Sequence, residues 1–339
     1  MKIFVAGVTG TLGRPVARLL CERGHEVVGL TRSADRLAAI EALGARAVIG
    51  DALDAQALRA AVLDARPHVI VHLLTALPPG GALRPRQLRP TNALRVVATT
   101  NLLRAAATAR VHRLVAESFV AVYGANVGTR YLSEDDSLAP IASGPLRETL
   151  TALRSLEDQL RMARETASLE TVALRIGFLY GPGVPSTELL IKQARDRRLF
   201  VPKEVSGVGS FVHISDAAVA IVTAIERPSL SPVYNVVDDE PASLATFLES
   251  LTQTIGAAPA RALPAWFVRL AAPVPAEVAS MRLLVANTRA KRELGWSPRY
   301  PTVQIGLASL AGHRTHNSAR DASRSGQGPL ENSCERASL

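Results

Sequence analysis

The sequence predicts an α/β fold: a doubly wound parallel sheet with a smaller C-terminal substrate lobe. Three observations predict it. A glycine-spaced turn stands directly behind the first apolar run. Strand-like and helix-like segments then alternate as far as Tyr180, and after Tyr180 the rhythm changes.

The chain opens Met1-Lys2-Ile3-Phe4-Val5-Ala6-Gly7-Val8-Thr9-Gly10-Thr11-Leu12-Gly13. Lys2 to Ala6 reads as a buried strand. The glycines are spaced G-x-x-G-x-x-G, and Val16, Ala17, Leu19 and Leu20 begin a helical face. Backbone amides at such a helix start favour a pyrophosphate, and only glycine lets the phosphates come close. The strand before the triplet and the helix behind it give it its meaning. Further strands are expected at Glu26–Leu30, Arg46–Ile49, His68–Leu74, Arg113–Ala116 and Thr171–Ile176, with helices at Ala34–Leu43, Ala55–Ala65, Thr91–Ala109 and Thr149–Thr166. Such alternation builds a Rossmann-like sheet covered on both faces, which binds ligands beyond the carboxyl ends of its strands.

After Tyr180 the cluster Gly181-Pro182-Gly183-Val184-Pro185 marks a turn. Shorter elements follow: helices at Thr187–Arg198 and Ser215–Glu226, strands at Ser210–His213 and Val233–Val237, then helices near Leu244–Ile255 and Arg289–Leu294. The reading is a dinucleotide-binding core over 1–180, an interleaved substrate lobe over 181–311, and a tail over 312–339. The tail is rich in Ser, Arg, Asn and Gly, and its composition predicts disorder.

Apolar residues make up 47% of the 339-residue chain, enough for a full core. No run approaches the ~18 apolar residues of a membrane span. The first residues lack a charged-then-apolar export pattern. Cys21 and Cys334 lie too far apart for a disulfide framework or zinc spacing, so no metal site is expected. A cytoplasmic setting is the expectation. Net charge is +9, yet only four of the 39 basic residues are lysines, the arginines are scattered, and aromatics are 4%. That pattern argues against a nucleic-acid partner.

Several segments together carry a family resemblance. They are the Gly7, Gly10, Gly13 turn; Gly50-Asp51-Ala52; Leu174 to Gly183 (LRIGFLYGPG); Phe211 to Ala218 (FVHISDAA); Tyr234 to Asp239 (YNVVDD); and Arg292 to Trp296 (RELGW). In this order they resemble the extended short-chain dehydrogenase/reductase family, in its NAD-dependent epimerase/dehydratase branch, over about residues 1–311. The resemblance implies that Gly7, Thr9, Gly10, Thr11, Leu12 and Gly13 line the pyrophosphate. It implies that Asp51 and Ala52 meet the adenine, and that Leu74, Thr75 and Ala76 border the nicotinamide ribose. It also implies a homodimer through a helix pair and a small-molecule substrate.

The end of the second strand bears on cofactor choice. An acid there binds the ribose hydroxyls of NAD. This chain has Thr31, then Arg32, with Arg36 a turn further on. A guanidinium in place of the acid favours the 2′-phosphate of NADP, with NAD as the alternative.

The family's oxidoreductases carry Tyr-x-x-x-Lys on the helix after the fifth strand, where the lysine lowers the tyrosine pKa for proton transfer. None of the five tyrosines here has a lysine four residues on. Aligning the helix's Glu157 with the family puts Thr149 at the tyrosine and Leu153 at the lysine. Arg154 is one residue off, turned by about 100°. Phe119 stands at the usual serine with Ser118 one residue early, and Arg95 takes the place of a customary asparagine.

Candidates for the missing proton relay are Ser118, Tyr123 and Thr149, with Tyr131 and Glu134 on the following loop. Each has a structural alternative; Thr149, for example, is a good helix N-cap. The loop Pro78-Pro79-Gly80-Gly81 with Arg84, Arg86 and Arg89 offers a positive rim. The expected function is an NAD(P)-dependent oxidoreductase or epimerase/dehydratase-type enzyme acting on a small organic, secondary-metabolite-like substrate. The alternatives are an NADP(H)-binding sensor without turnover and a non-redox cyclase or dehydratase. The missing pair argues against standard sugar epimerisation, which needs proton removal from an alcohol as hydride leaves.

Overall fold

The structure is a computed structural model that describes residues 1–124, 129–141, 143–166, 169–203 and 207–310. The tail expected at 312–339, with Cys334, lies outside the described residues.

Six strands follow in order: β1 (Lys2–Ala6), β2 (Glu26–Thr31), β3 (Arg46–Ile49), β4 (Val69–His72), β5 (Arg113–Phe119) and β6 (Glu170–Ile176). With Val233–Val236 they form one seven-stranded sheet, in the spatial order Val233–Val236, β6, β5, β4, β1, β2, β3. Every pairing in it is parallel. The chain runs outward from β1 to β3 and then returns to β4 on the other side of β1. The reversal between β1 and β4 opens the crevice where such sheets bind ligands.

Helices cover both faces. These are α1 (Gly13–Glu22), α2 (Leu37–Glu41), α3 (Ala55–Ala65), α4 (Arg89–Ala93), α5 (Thr99–Ala109) and α6 (Arg147–Thr166). Alternating strand residues serve the two faces. Ile3, Val5, Val71 and Val115 pack with Val16 and Leu20 of α1 and with Ile221 of the helix Ile214–Glu226. Phe4, Ile70 and Leu114 pack with Leu58 of α3, Leu102 of α5 and Leu156 of α6. Asp54 caps α3 by accepting from the amides of Gln56 (2.9 Å) and Ala57 (3.0 Å).

The chief differences from the sequence reading lie where long-range pairing decides. β5 runs on to Phe119 because β6 pairs with it throughout, Ser118 opposite Arg175 and Phe119 opposite Ile176. Val233–Val236, read as part of the later segment, pairs with β6 and completes the central sheet. Between α4 and α5 the helix widens into a π-turn, Leu94–Ala98. No described helix is long and apolar enough to cross a membrane.

Candidate active site

The turn after β1 leaves no room for side chains. Gly7 has φ +98°, and a Cβ on it would collide with the Leu73 carbonyl at the end of β4. A Cβ on Gly13 would collide with the Gly7 carbonyl. Gly10 differs: its amide donates to Gly7 O at 2.9 Å, and an added Cβ would meet only that oxygen, at 3.1 Å. A side chain at Gly10 would therefore project into open space, the space a pyrophosphate needs. No side chain caps α1 and no acid lies in its first turn, so the helix start favours an anion. Arg14 adds a cation here, its Nε donating to Thr9 O at 3.0 Å. Nothing in the sequence singles out Arg14, one arginine among many. Thr9 and Thr11 are partly exposed at the turn, whereas the Leu12 side chain is buried in the core, which leaves its main chain as the part able to meet a phosphate.

Beyond β2 and β3 the structure brings together Thr31, Arg32, Asp51 and Ala52. Thr31 is buried, its hydroxyl held by Ser33, and Gly50 N donates to Thr31 O at 2.9 Å. Arg32 is exposed and forms no hydrogen bond or ion pair among the described residues. Arg36 instead pairs with Asp35 at 3.6 Å. Asp51 accepts from Leu53 N at 3.0 Å, and Asn101 fixes the Ala52 carbonyl at 3.0 Å. These residues can border a nucleoside, with Arg32 free to meet a phosphate. Leu74, Thr75 and Ala76 leave β4 next to the Gly7 turn, and Thr91 anchors the Ala76 amide at 3.0 Å.

The candidates for proton transfer separate sharply. Ser118 is buried and donates to Glu157 Oε1 at 2.6 Å. The same carboxylate takes Nε and Nη2 of Arg175 at 3.0 and 2.7 Å. The Arg175 guanidinium lies 4.5 Å from the Tyr123 ring centre, and Tyr123 donates its hydroxyl toward Ser133 O and Asn235 Oδ1, each at 2.9 Å. Burial pushes the Tyr123 phenol up, the wrong direction for a base. Arg154 reaches the carbonyls of Val122 and Ala139, so it is tied to the loop. Glu134 accepts from Asn235 N at 2.8 Å, and Tyr131 is exposed.

Thr149 stands apart from these. It is the third residue of α6, which begins at Arg147, so it does not cap the helix. Its hydroxyl is buried and has no hydrogen-bond partner among the described residues, and the same holds for both amide atoms of Asn92 on α4. Asn92 lines a cavity of about 620 Å³ between α4 and the start of α6, with Pro85, Gly144, Arg147 and Thr151. Buried polar atoms without a protein partner are rare, and a water or a ligand can supply the bond. Of the arginine rim, Arg84 and Arg86 are exposed and Arg89 pairs with Glu148 at 3.4 Å.

Phe119 and Leu153 are apolar. Phe119 packs edge-on against Phe178, centroids 5.1 Å apart, on a cluster that contains Leu153.

One further group is not revealed by the sequence. Glu117, on the carboxyl-terminal half of β5, interacts electrostatically with Arg95 of the π-turn. Both are partly exposed, and neither forms a hydrogen bond or ion pair among the described residues. Burial pushes the Glu117 carboxyl up to about 7 against the pull of Arg95. Burial lowers Arg95 to about 10. Beside them His72 is buried at the end of β4, its Nε2 3.1 Å from Thr99 Oγ1. Thr99 gives its proton to Arg95 O (2.6 Å) and Leu74 N reaches His72 Nδ1 (3.3 Å), so the ring is the neutral Nε2–H tautomer. Burial, then the Arg95 charge, holds its pKa down to about 4. Among the described residues no group of three or more His, Cys, Asp or Glu is placed to hold a metal.

The chain matches the model of the NAD dependent epimerase/dehydratase family over residues 3–237. It is 37% identical to a 3-diazoavenalumate denitrifying reductase from a Streptomyces species, over 91% of this chain and 99% of the relative. It is 28% identical to a 4-hydroxy-2-methyl-3-oxo-4-farnesyl-3,4-dihydroquinoline-1-oxide ketoreductase from Stigmatella aurantiaca, over 97% of this chain and 99% of that one. Among solved structures it resembles the UDP-glucose 4-epimerase of Thermotoga maritima, with TM-score 0.78 and 18% identity over 94% of this chain and 100% of that one. The last likeness concerns the fold.

Proposed function

The chain belongs to the NAD dependent epimerase/dehydratase family, and from that premise we propose an NADPH-preferring reductase that delivers hydride to a diazo group on a small organic substrate. The observation that carries the reading is the pair Phe119 and Leu153, apolar at the places where the resemblance puts the family's serine and lysine. Reduction of a ketone needs a proton on oxygen as hydride reaches carbon. A diazonium group carries its positive charge already and takes hydride on nitrogen without an acid at an oxygen. The substrate named for the Streptomyces relative supports this acceptor class.

The main chain of Gly7, Thr9, Gly10, Thr11, Leu12 and Gly13 holds the pyrophosphate, with Arg14 beside it. Thr31 and Arg32 face the adenosine ribose, Arg32 taking the 2′-phosphate. Asp51 and Ala52 border the adenine, and Leu74, Thr75 and Ala76 the nicotinamide ribose. When bound there, the reduced cofactor supplies the hydride. Asn92 and Thr149, whose buried polar atoms lack partners, take the polar groups of the substrate. Ser118 and Tyr123 position the surrounding strands and loops.

The test supplies NADPH with an ortho-diazophenol carboxylic acid, and separately with a β-keto acid, and follows cofactor oxidation and gas release. The reading expects dinitrogen and oxidised cofactor in equal amounts from the diazo compound. Oxidation with the keto acid alone would contradict it. A sensor would keep its cofactor reduced, and a cyclase or dehydratase would form product without net oxidation.

A further inference from the structure

We propose that Glu117 is a catalytic residue whose carboxyl group carries the substrate's proton, with Arg95 as the positioning residue beside it. This rests on the reductase reading and extends it to a group outside every family motif in the chain.

Sheet order gives the first argument. Thr31 and Asp51 follow β2 and β3, the glycine turn follows β1, and the sheet then continues to β4 and β5. A dinucleotide with its adenine over β2 and β3 and its phosphates over β1 must carry its nicotinamide beyond β4, toward β5. Glu117 is on β5, next to Ala116, whose partner His72 ends β4.

The second argument is the missing partner. Glu157 is held by Ser118 and Arg175, and Glu134 by the Asn235 amide. Glu117 has no such bond among the described residues, although burial penalises its charge. A half-buried carboxyl with a shifted ionisation, answered by one cation beside a ligand crevice, is a candidate functional group. The third argument is the π-turn that presents Arg95, since such widenings recur at functional sites.

The charged and titratable surroundings are few. Arg95 approaches from the helix. His72 on β4 is neutral and bonded to Thr99. On β6, Leu174 lies opposite Glu117, and the next residue, Arg175, turns to Glu157. The carboxyl therefore exchanges its proton near neutral pH, the range in which a side chain both accepts and donates efficiently.

The step balances. Two electrons and one hydrogen arrive as hydride on the outer nitrogen of the diazonium. Glu117, as carboxylate, takes that hydrogen from nitrogen as a proton. The carbon–nitrogen bond breaks, its electron pair stays on carbon, and dinitrogen leaves. Glu117 returns the proton to the carbon and ends unchanged, so diazonium plus hydride becomes a carbon–hydrogen bond plus dinitrogen.

The experiment has two arms on the full chain, with Glu117→Gln and Glu117→Asp. In the first, NADP⁺ and NADPH are titrated calorimetrically at about pH 6 and about pH 8. An ionised carboxylate favours the cationic nicotinamide, so the NADP⁺ preference of the wild type rises about tenfold across this range and stays flat in Glu117→Gln. In the second, Glu117→Gln lowers kcat with the diazo substrate by about 10² or more and removes the ionisation near neutrality from the pH profile, while Glu117→Asp keeps part of the rate. Wild-type turnover in Glu117→Gln, or a cofactor preference indifferent to pH in the wild type, overturns the proposal. A pH-dependent preference that needs Glu117, in a protein that reduces no diazo compound, supports its place beside the nicotinamide and refutes the substrate reading alone.

Discussion

Ser118 and Arg175 stand opposite each other in the β5–β6 ladder and share one acceptor, the Glu157 carboxylate. The Ser118 hydroxyl is thus committed to a buried network and is not free to serve a substrate. Ser118→Ala should cost about 1–3 kcal/mol in denaturant unfolding, the range for losing a buried hydrogen bond to a charged group. Affinity for NADPH should stay within about twofold, because the network holds the strand and not the cofactor. A variant of unchanged stability that has lost turnover would return Ser118 to the list of catalytic groups.

The three glycines should separate by experiment. Gly10→Val should abolish binding of both dinucleotides in calorimetry yet melt close to the wild type, since its side chain enters only open space and the Gly7 carbonyl. Gly13→Ala should lower the melting temperature, because its Cβ would overlap Gly7 O. Equal melting of the two variants would contradict this division.

Arg32 has no hydrogen-bond or ion-pair partner among the described residues and follows the strand end where NAD-binding folds place an acid. Arg32→Ala should weaken NADPH about tenfold or more, the loss of one charge-assisted phosphate contact, and leave NADH nearly unchanged. Equal weakening of the two in parallel titrations would remove Arg32 from the 2′-phosphate.

Asp238 is buried and accepts from the Tyr180 hydroxyl at 2.9 Å. Burial pushes its carboxyl up to about 8 from an ordinary 3.8. Between those values the folded chain holds a proton that the unfolded chain has released, so this group's contribution to stability falls as pH rises from about 4 to about 8. Asp238→Asn should therefore gain melting temperature over the wild type at about pH 8 and lose that advantage near pH 4. An advantage that grows toward acid pH would reverse the assignment.

The glycine turn was legible because its chemistry is local: strand, spacing and helix start lie within thirteen residues. The six strands through β6 were legible from alternating apolar segments. The seventh reads as part of the later segment because its pairing with β6 joins residues far apart in the chain. Arg95 and Thr149 were visible as departures from a family pattern. Glu117 was not, because a single acid inside Val115-Ala116-Glu117-Ser118 reads as a solvent-facing strand position. Only the fold brings it within reach of the Arg95 charge. The Ser118 hydroxyl looked available because its partner Glu157 lies on α6, 39 residues away.

The most direct test of the account is the stoichiometry of NADPH oxidised to dinitrogen released, with an ortho-diazophenol carboxylic acid, in the wild type and in Gly10→Val. The account predicts equal amounts in the wild type and neither product in the variant. Oxidation that continues in Gly10→Val, or no oxidation in a wild type saturated with both ligands, would contradict it.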